Sequence, residues 1–273
     1  MIPRIEYRDV VDKSTWGDGL WQHEPDKAQW WDEPAGMACV IVRPYTGSLC
    51  GYVGAPPHHP AYGLYYDGVP QAEAEARQKA WHEHTRAWAK AGYPDLMKWM
   101  QAHPLPPNTG PMPGIGERLL EVRVHGGLTY SGGVSAALDE TDWAKYYAPF
   151  DSLRAQALVY PRGDAARALA DWGPGEHDYG WWLDRCAATR VCAVDDAGKI
   201  ADLWWFGFDC GHAGDFQPGI HALLRELKIR ERLPPPPDWE EVYRDWAYVE
   251  GEVEALAVQF AEMVVDLAME ITR

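Results

Sequence analysis

The stretch ADLWWFGFDCGHAGD, residues 201–215, decides the fold that the sequence predicts. Its first nine residues carry apolar side chains at both odd and even positions, a pattern typical of a strand that is buried on both faces. Such a strand lies in the interior of a sheet. The potential ligands at its end, which are Asp209, Cys210, His212 and Asp215, are therefore expected to follow a central strand.

Other segments predict further strands of the same sheet. Residues 37–43 and 48–54 are rich in β-forming residues and are separated by PYTG, so they predict a β-hairpin. Residues 119–125, LLEVRVH, alternate apolar and polar side chains. This period of two predicts a strand that ends at His125, with Leu120, Val122 and Val124 facing the core. We expect an α+β fold with a mixed or antiparallel central β-sheet packed by helices.

Two segments predict long helices within a single domain that spans residues 1–273. Residues 71–91 are rich in helix-forming residues and predict a helix with Gly92 as its C-cap. Residues 238–270 predict a long C-terminal helix, with Asp238 as its N-cap and an apolar seam of alternating three- and four-residue steps from Trp239 to Leu267. We expect this seam to pack on the domain's own core; a homodimer through the C-terminal helix is the alternative.

Composition excludes several classes of function. The formal net charge of −16 disfavours non-specific binding to nucleic acids, although a small anionic ligand stays compatible because one cleft can differ in potential from the whole surface. No uninterrupted apolar stretch is long enough to form a membrane helix, and the N-terminal residues lack the apolar centre of a signal peptide. Five cysteines without a CxxC pair argue against a disulfide framework. We therefore expect a cytoplasmic protein that contacts no membrane.

The residues that can carry chemistry lie at the ends of the two predicted strands. His125 ends one strand, and Asp209, His212 and Asp215 follow the other. If the strands are neighbours, these four side chains converge. Two imidazoles and two carboxylates suit a divalent ion such as zinc or manganese, which would activate water for hydrolysis. The alternative is a metal-free polar pocket; Cys210 is expected on the buried side of the turn.

The segment GGLTYSGG, residues 126–133, combines glycines with hydroxyl groups. It resembles neither the Walker loop nor GxGxxG, two glycine-rich motifs that bind phosphate. Backbone N–H groups and hydroxyls of this segment can nevertheless bind an anion, and an ordinary wide turn is the equal alternative. The residues predicted to bind a ligand are Gly126, Gly127, Thr129, Tyr130 and Ser131.

Four blocks of sequence carry a resemblance. They are CVIVRPYTGSLCGYVGAPPHHPAYG (39–63), VHGGLTYSGG (124–133), WWFGFDCGHAGDFQP (204–218) and YRDWAYVEGEVEALAVQF (243–260). Together they resemble a family of uncharacterised proteins encoded by bacteriophages and prophages. The resemblance implies an accessory phage protein in the cytoplasm of the host bacterium, and it marks HGGLTYS and FDCGHAGD as signature blocks. By the same resemblance, residues 71–102 are a helical insertion in this chain.

Two hypotheses of function follow. The first is a metal-dependent hydrolase of a phosphoester or nucleotide, such as a host defence signal, that uses His125, Asp209, His212 and Asp215. The second is a non-catalytic protein that sequesters a nucleotide-derived ligand or a host protein in the same pocket. A structural role that uses the acidic surface and the C-terminal seam is a third alternative.

Overall fold

The computed structural model describes residues 2–105, 110–133, 187–188, 190–226 and 240–271. The described strands are β1 (Ile5–Tyr7), β2 (Lys27–Asp32), β3 (Met37–Val42), β4 (Cys50–Ala55), β5 (Tyr130–Gly133) and β6 (Trp204–Asp209). The described helices are α1 (Gln71–Lys90), α2 (Leu96–Ala102), α3 (Ile115–Leu119), α4 (Pro218–Glu226) and α5 (Trp246–Ile271), with a short 3-10 helix at Leu20–Gln22.

The strands form one six-stranded sheet in the order β1-β2-β3-β4-β6-β5, and every neighbouring pair is antiparallel. The predicted α+β class and the β3–β4 hairpin are therefore confirmed. Strand β6 pairs with β4 on one side and β5 on the other, and its first five residues are buried. The prediction of an interior strand that leads into the ligand-rich loop is confirmed.

Helix α5 covers one face of this sheet. Its apolar seam joins the core that includes Phe206 and Phe208 of β6; the buried seam residues are Val249, Val253, Leu256, Phe260 and Met263. Gly51 of β4 permits the close approach, since a Cβ there would lie 2.4 Å from Cγ2 of Val253. The seam thus packs within one chain, as expected. A homodimer through α5 stays a prediction, and it would have to use the side of the helix that faces away from the sheet.

Helix α5 begins later than the sequence indicates. Asp238 and Trp239 lie outside the described residues, and residues 240–245 are not helical. The N–H of Val242 donates to the carbonyl of Gly214, and the carbonyl of Val242 accepts from Phe216. This pairing with the loop after β6 holds the segment extended, so the predicted start at residue 238 is wrong. Asp245 caps the helix instead, because its Oδ1 accepts from the N–H of Tyr248 at 2.9 Å.

The prediction of a strand at residues 119–125 is also wrong. Helix α3 ends at Leu119, a turn follows, and residues 122–124 belong to none of the described strands. The side chain of Gln259 in α5 accepts from the N–H of Arg123 and donates to its carbonyl. The backbone of Arg123 is therefore bonded to a helix side chain and not to a neighbouring strand. Val122 and Val124 pack against the core, whereas Leu120 is 58% exposed.

Residues 71–90 form α1, as predicted, and residues 96–102 form α2, with a non-helical link at residues 91–95. That residues 71–102 are an insertion stays a prediction. Gly92 follows α1 with a φ of +79°, the left-handed backbone that commonly ends a helix. None of the helices in the described part of the chain has both the length and the apolar character needed to cross a lipid bilayer.

Candidate functional site

The loop after β6 holds Asp215 in a fixed position. The N–H of Asp215 donates to the carbonyl of His212 at 3.0 Å, which closes a tight turn. Asp215 also forms an isolated parallel bridge with Val242, four residues before the start of α5. The Asp215 side chain is only 3% exposed. The turn and the bridge thus present one buried carboxylate beside the first turn of α5.

Helix α5 brings His125 to the same place. The backbone N–H of His125 donates to Oε2 of Glu252 at 2.8 Å, and the ring Nδ1 lies 3.0 Å from the hydroxyl of Tyr248. Tyr248 and Glu252 are four residues apart and therefore lie on one side of the helix. His125 is thus positioned by helix side chains rather than by the end of a strand.

The two segments meet in a cluster of three potential ligands. Nε2 of His125 lies 2.9 Å from Oδ2 of Asp215, and Nδ1 of His212 lies 3.7 Å from the same oxygen. One ligand atom from each of the three residues falls within 4.8 Å of the others. Nδ1 of His212 is buried and has no hydrogen-bond partner among the described residues. The predicted convergence of His125 with His212 and Asp215 is therefore present.

Gly126 makes room for the His212 ring. Its φ is +67°, and a Cβ at this position would lie 2.1 Å from Cε1 of His212. Gly127 also has a positive φ, of +84°, but a Cβ there would have nothing within 4 Å. Gly126 thus has a packing role in the site, whereas Gly127 has only a conformational role.

The charge on Asp215 is stabilised by its neighbours. Burial acts to raise the pKa of this carboxyl, but hydrogen bonds from His125, from Arg244 and from the N–H of His212 outweigh burial and lower the pKa below its ordinary value. Nε of Arg244 donates to Oδ1 at 3.0 Å. In turn, this bond raises the pKa of Arg244. The carboxylate is therefore ionised and accepts bonds on both oxygens.

Asp209 has different partners. Its Oδ2 accepts from the hydroxyl of Thr129 at 2.9 Å, and its Oδ1 accepts from the N–H of Gly211 at 3.0 Å. Asp209 has the same parity in β6 as Trp205, which packs on the sheet face opposite α5. This parity separates its carboxylate from the cluster, so Asp209, a predicted ligand, does not belong to the group of three.

Most of the predicted ligand-binding segment is engaged in the fold. The hydroxyl of Thr129 is bonded to Asp209, and Oγ of Ser131 accepts from the N–H of Tyr66 at 2.8 Å. Tyr130 lies in β5, and its ring packs edge-on against Tyr52 at 5.4 Å between ring centroids. Gly126 is the residue of this segment that contacts the cluster, through the ring of His212.

Cys210 is buried, as predicted. It is 2% exposed within the core beneath α5, and burial raises the pKa of its thiol far above the ordinary value. A thiol in this state is a poor nucleophile at neutral pH. Cys210 therefore packs beneath the loop rather than taking part in its chemistry.

Three residues of the site were not predicted: Arg244, Tyr248 and Glu252, which accepts from the backbone N–H of His125. Arg244 binds Asp215, and its guanidinium carbon lies 5.0 Å from the ring centroid of Tyr248, whose hydroxyl faces His125. Burial raises the pKa of Tyr248, so its hydroxyl stays protonated. The available signal was the polar spacing of Tyr248, Glu252 and Gln259 beside the apolar seam, which places all three on one stripe of the helix.

The three-residue cluster fits a divalent metal. Zinc bonds to nitrogen and oxygen of about 2.0–2.1 Å place neighbouring tetrahedral ligands about 3.3 Å apart. The measured separations of 2.9 and 3.7 Å lie on either side of this value. Three protein ligands leave a fourth position for water, which is typical of catalytic rather than structural zinc sites.

No protein-family model, curated protein or solved structure matches this chain. The resemblance to phage-encoded proteins therefore stays a prediction. Any function proposed for the chain rests on the geometry of the His125, His212 and Asp215 cluster.

Proposed function

We propose that this protein is a divalent-metal-dependent hydrolase of a phosphoester, with His125, His212 and Asp215 as the metal ligands. The convergence of these three ligand atoms within 4.8 Å carries the proposal. The ligands come from two segments that are far apart in the sequence. Two imidazoles and one carboxylate form a donor set that suits zinc or manganese.

The unpaired nitrogen of His212 supports a metal at this position. A buried ring nitrogen without a partner is unfavourable, and binding a cation through its lone pair removes that cost. Asp215 contributes the negative charge that a divalent ion requires, and its hydrogen bonds fix the direction of the carboxylate. A bound metal would lower the pKa of its water and supply the nucleophile for hydrolysis.

Arg244 supports a phosphoester as the substrate. Its Nε is bonded to Asp215, and its side chain is 31% exposed, so its remaining N–H groups are accessible beside the cluster. A planar guanidinium binds phosphoryl oxygens through two parallel hydrogen bonds. In an acidic protein, this cation supplies a local positive charge for a small anionic or nucleotide-like ligand.

The second candidate is a non-catalytic pocket that sequesters a nucleotide-derived ligand. One observation favours it: both oxygens of Asp215 already accept hydrogen bonds from His125, Arg244 and the N–H of His212. A polar network that is satisfied in this way is stable without a metal. For either function, we propose the setting that the resemblance implies, an accessory phage protein in the bacterial cytoplasm.

Native mass spectrometry of the protein purified from a bacterial host tests the proposal, because it reports bound metal, bound ligand and subunit number together. We expect one zinc or manganese ion for each chain, lost in His212→Ala. The matched control is His82→Ala, which removes an exposed histidine on α1. With the metal bound, hydrolysis of p-nitrophenyl phosphate or its diester should fall roughly 100-fold or more in His212→Ala. A metal-free wild-type protein that retains an intact nucleotide would favour sequestration.

A further inference from the structure

We propose that Tyr248 is a positioning residue that orients the His125 ring, with Nε2 toward the cluster, and thereby raises the metal affinity of the cluster. The inference rests on the proposed function, because it assigns a residue outside the ligand set to the same site. Its basis is the pair of contacts on opposite sides of one imidazole. Asp215 lies 2.9 Å from Nε2, and the Tyr248 hydroxyl lies 3.0 Å from Nδ1.

Without metal, the two contacts select one tautomer. An ionised carboxylate only accepts hydrogen bonds, so the Nε2–H of His125 donates to Oδ2 of Asp215. In this tautomer Nδ1 carries a lone pair. The Tyr248 hydroxyl, 3.0 Å away, is placed to donate a hydrogen bond to that nitrogen.

A metal requires the opposite tautomer. Nε2 faces Asp215 and His212 and is the nitrogen available to the ion, whereas Nδ1 faces Tyr248. If Nε2 bound a metal, the ring proton would reside on Nδ1, and the Tyr248 hydroxyl would accept a hydrogen bond from it. A phenol can donate in one state and accept in the other. Tyrosine thus stabilises His125 in both states, and phenylalanine in neither.

The Tyr248 hydroxyl is held in place before any metal binds. The residue lies in the first turn of α5, where its N–H donates to Asp245. Its ring meets the His125 ring edge-on, with centroids 5.7 Å apart and planes at 90°. The Arg244 guanidinium covers the ring at 5.0 Å. These contacts fix the hydroxyl, so little ordering is needed when it supports the metal-bound imidazole.

The expected effect on metal affinity is moderate. Loss of a partner that orients a metal-bound histidine weakens binding about 10- to 100-fold. Tyr248 is 37% exposed, so water can replace the hydroxyl in part. We therefore expect Tyr248→Phe to weaken zinc binding about tenfold, near the lower end of this range.

Two measurements on Tyr248→Phe test the inference. Zinc affinity is measured by competition with a chromophoric chelator, and the hydrogen bond at Nδ1 of His125 is read in the metal-free protein from the nitrogen chemical shift in long-range nitrogen–proton NMR correlations, assigned by their loss in His125→Ala. The control is Tyr62→Phe, which removes a tyrosine hydroxyl bonded to Asp202 at 2.8 Å, outside the cluster. We expect weaker zinc binding and a shifted Nδ1 resonance of His125 in Tyr248→Phe and neither change in Tyr62→Phe.

The outcomes separate this inference from the proposed function. If wild type binds no zinc, the proposed metal site is wrong, and the Nδ1 resonance in metal-free Tyr248→Phe still decides whether Tyr248 orients His125. If wild type binds zinc and Tyr248→Phe matches it in affinity and in the Nδ1 resonance, the role of Tyr248 is overturned while the metal site stands.

Discussion

Gly126→Ala tests whether close packing against the turn at residues 125–127 positions His212. A Cβ at residue 126 would lie 2.1 Å from Cε1 of His212, whereas ordinary contact begins at 3.4 Å. The ring must therefore move by at least 1.3 Å, the difference between 3.4 and 2.1 Å. Metal–ligand bonds tolerate deviations of only about 0.2 Å. We expect Gly126→Ala to weaken zinc binding on the order of 100-fold.

Gly127→Ala is the matched control. Both glycines have positive φ values, +67° and +84°, so an alanine at either position is strained by about 1–2 kcal/mol. Only the Cβ at residue 126 meets His212; the Cβ at residue 127 has nothing within 4 Å. Urea unfolding should therefore show similar losses of stability in the two variants, while zinc titration separates them.

Two results would refute this reasoning. Wild-type zinc affinity in Gly126→Ala would mean that the His212 ring is not held against the glycine or does not bind metal. An equal loss of affinity in Gly127→Ala would mean that backbone strain, and not the contact with His212, controls the site.

Three further predictions concern stability and reactivity. Asp215→Asn should lower the free energy of unfolding by about 3 kcal/mol at pH 7, because His125 and Arg244 would then face a buried neutral amide in place of a carboxylate that accepts on both oxygens. The pKa of Asp215 is lower in the folded protein than its ordinary value of about 3.9, so ionised Asp215 stabilises the fold above that pH. This stabilisation is lost as the pH falls through the pKa of the folded protein. Urea unfolding of Asp215→Asn at a series of pH values should lack this acid dependence. Leu256→Ala, at a fully buried position, should cost about 3 kcal/mol in the same assay, and Val258→Ala, at a position 45% exposed, less than about 0.5 kcal/mol; equal losses would contradict the packing of α5. Burial raises the pKa of Cys50 to about 12, so peptide mapping after thiol labelling at pH 8 should find Cys50 unmodified in the folded protein.

Local patterns in the sequence predicted the elements whose side chains face one core. Strand β6 is apolar on both faces, and α5 is apolar along one seam. These patterns predict burial directly, because the spacing of residues in a strand or helix determines which side chains share a face. The start of α5 could not be predicted in this way. It depends on the pairing of Val242 with the loop after β6, a contact between segments far apart in the sequence.

The site shows the same division. His125, His212 and Asp215 were expected to converge because two strands were expected to end together, yet His125 reaches the cluster through Tyr248 and Glu252 of α5. The residue types predicted which side chains could form a site, but not that α5 would bring His125 to the other two. The parity of Asp209 in β6 also held the information that separates this carboxylate from the cluster, but only once the face covered by α5 was known.

Anomalous diffraction from crystals grown with zinc tests the central claim most directly. The account predicts one strong peak about 2.0–2.2 Å from Nε2 of His125, from a ring nitrogen of His212 and from a carboxylate oxygen of Asp215. No peak at this position, with the hydrogen bond between His125 and Asp215 intact at saturating zinc, would contradict the account.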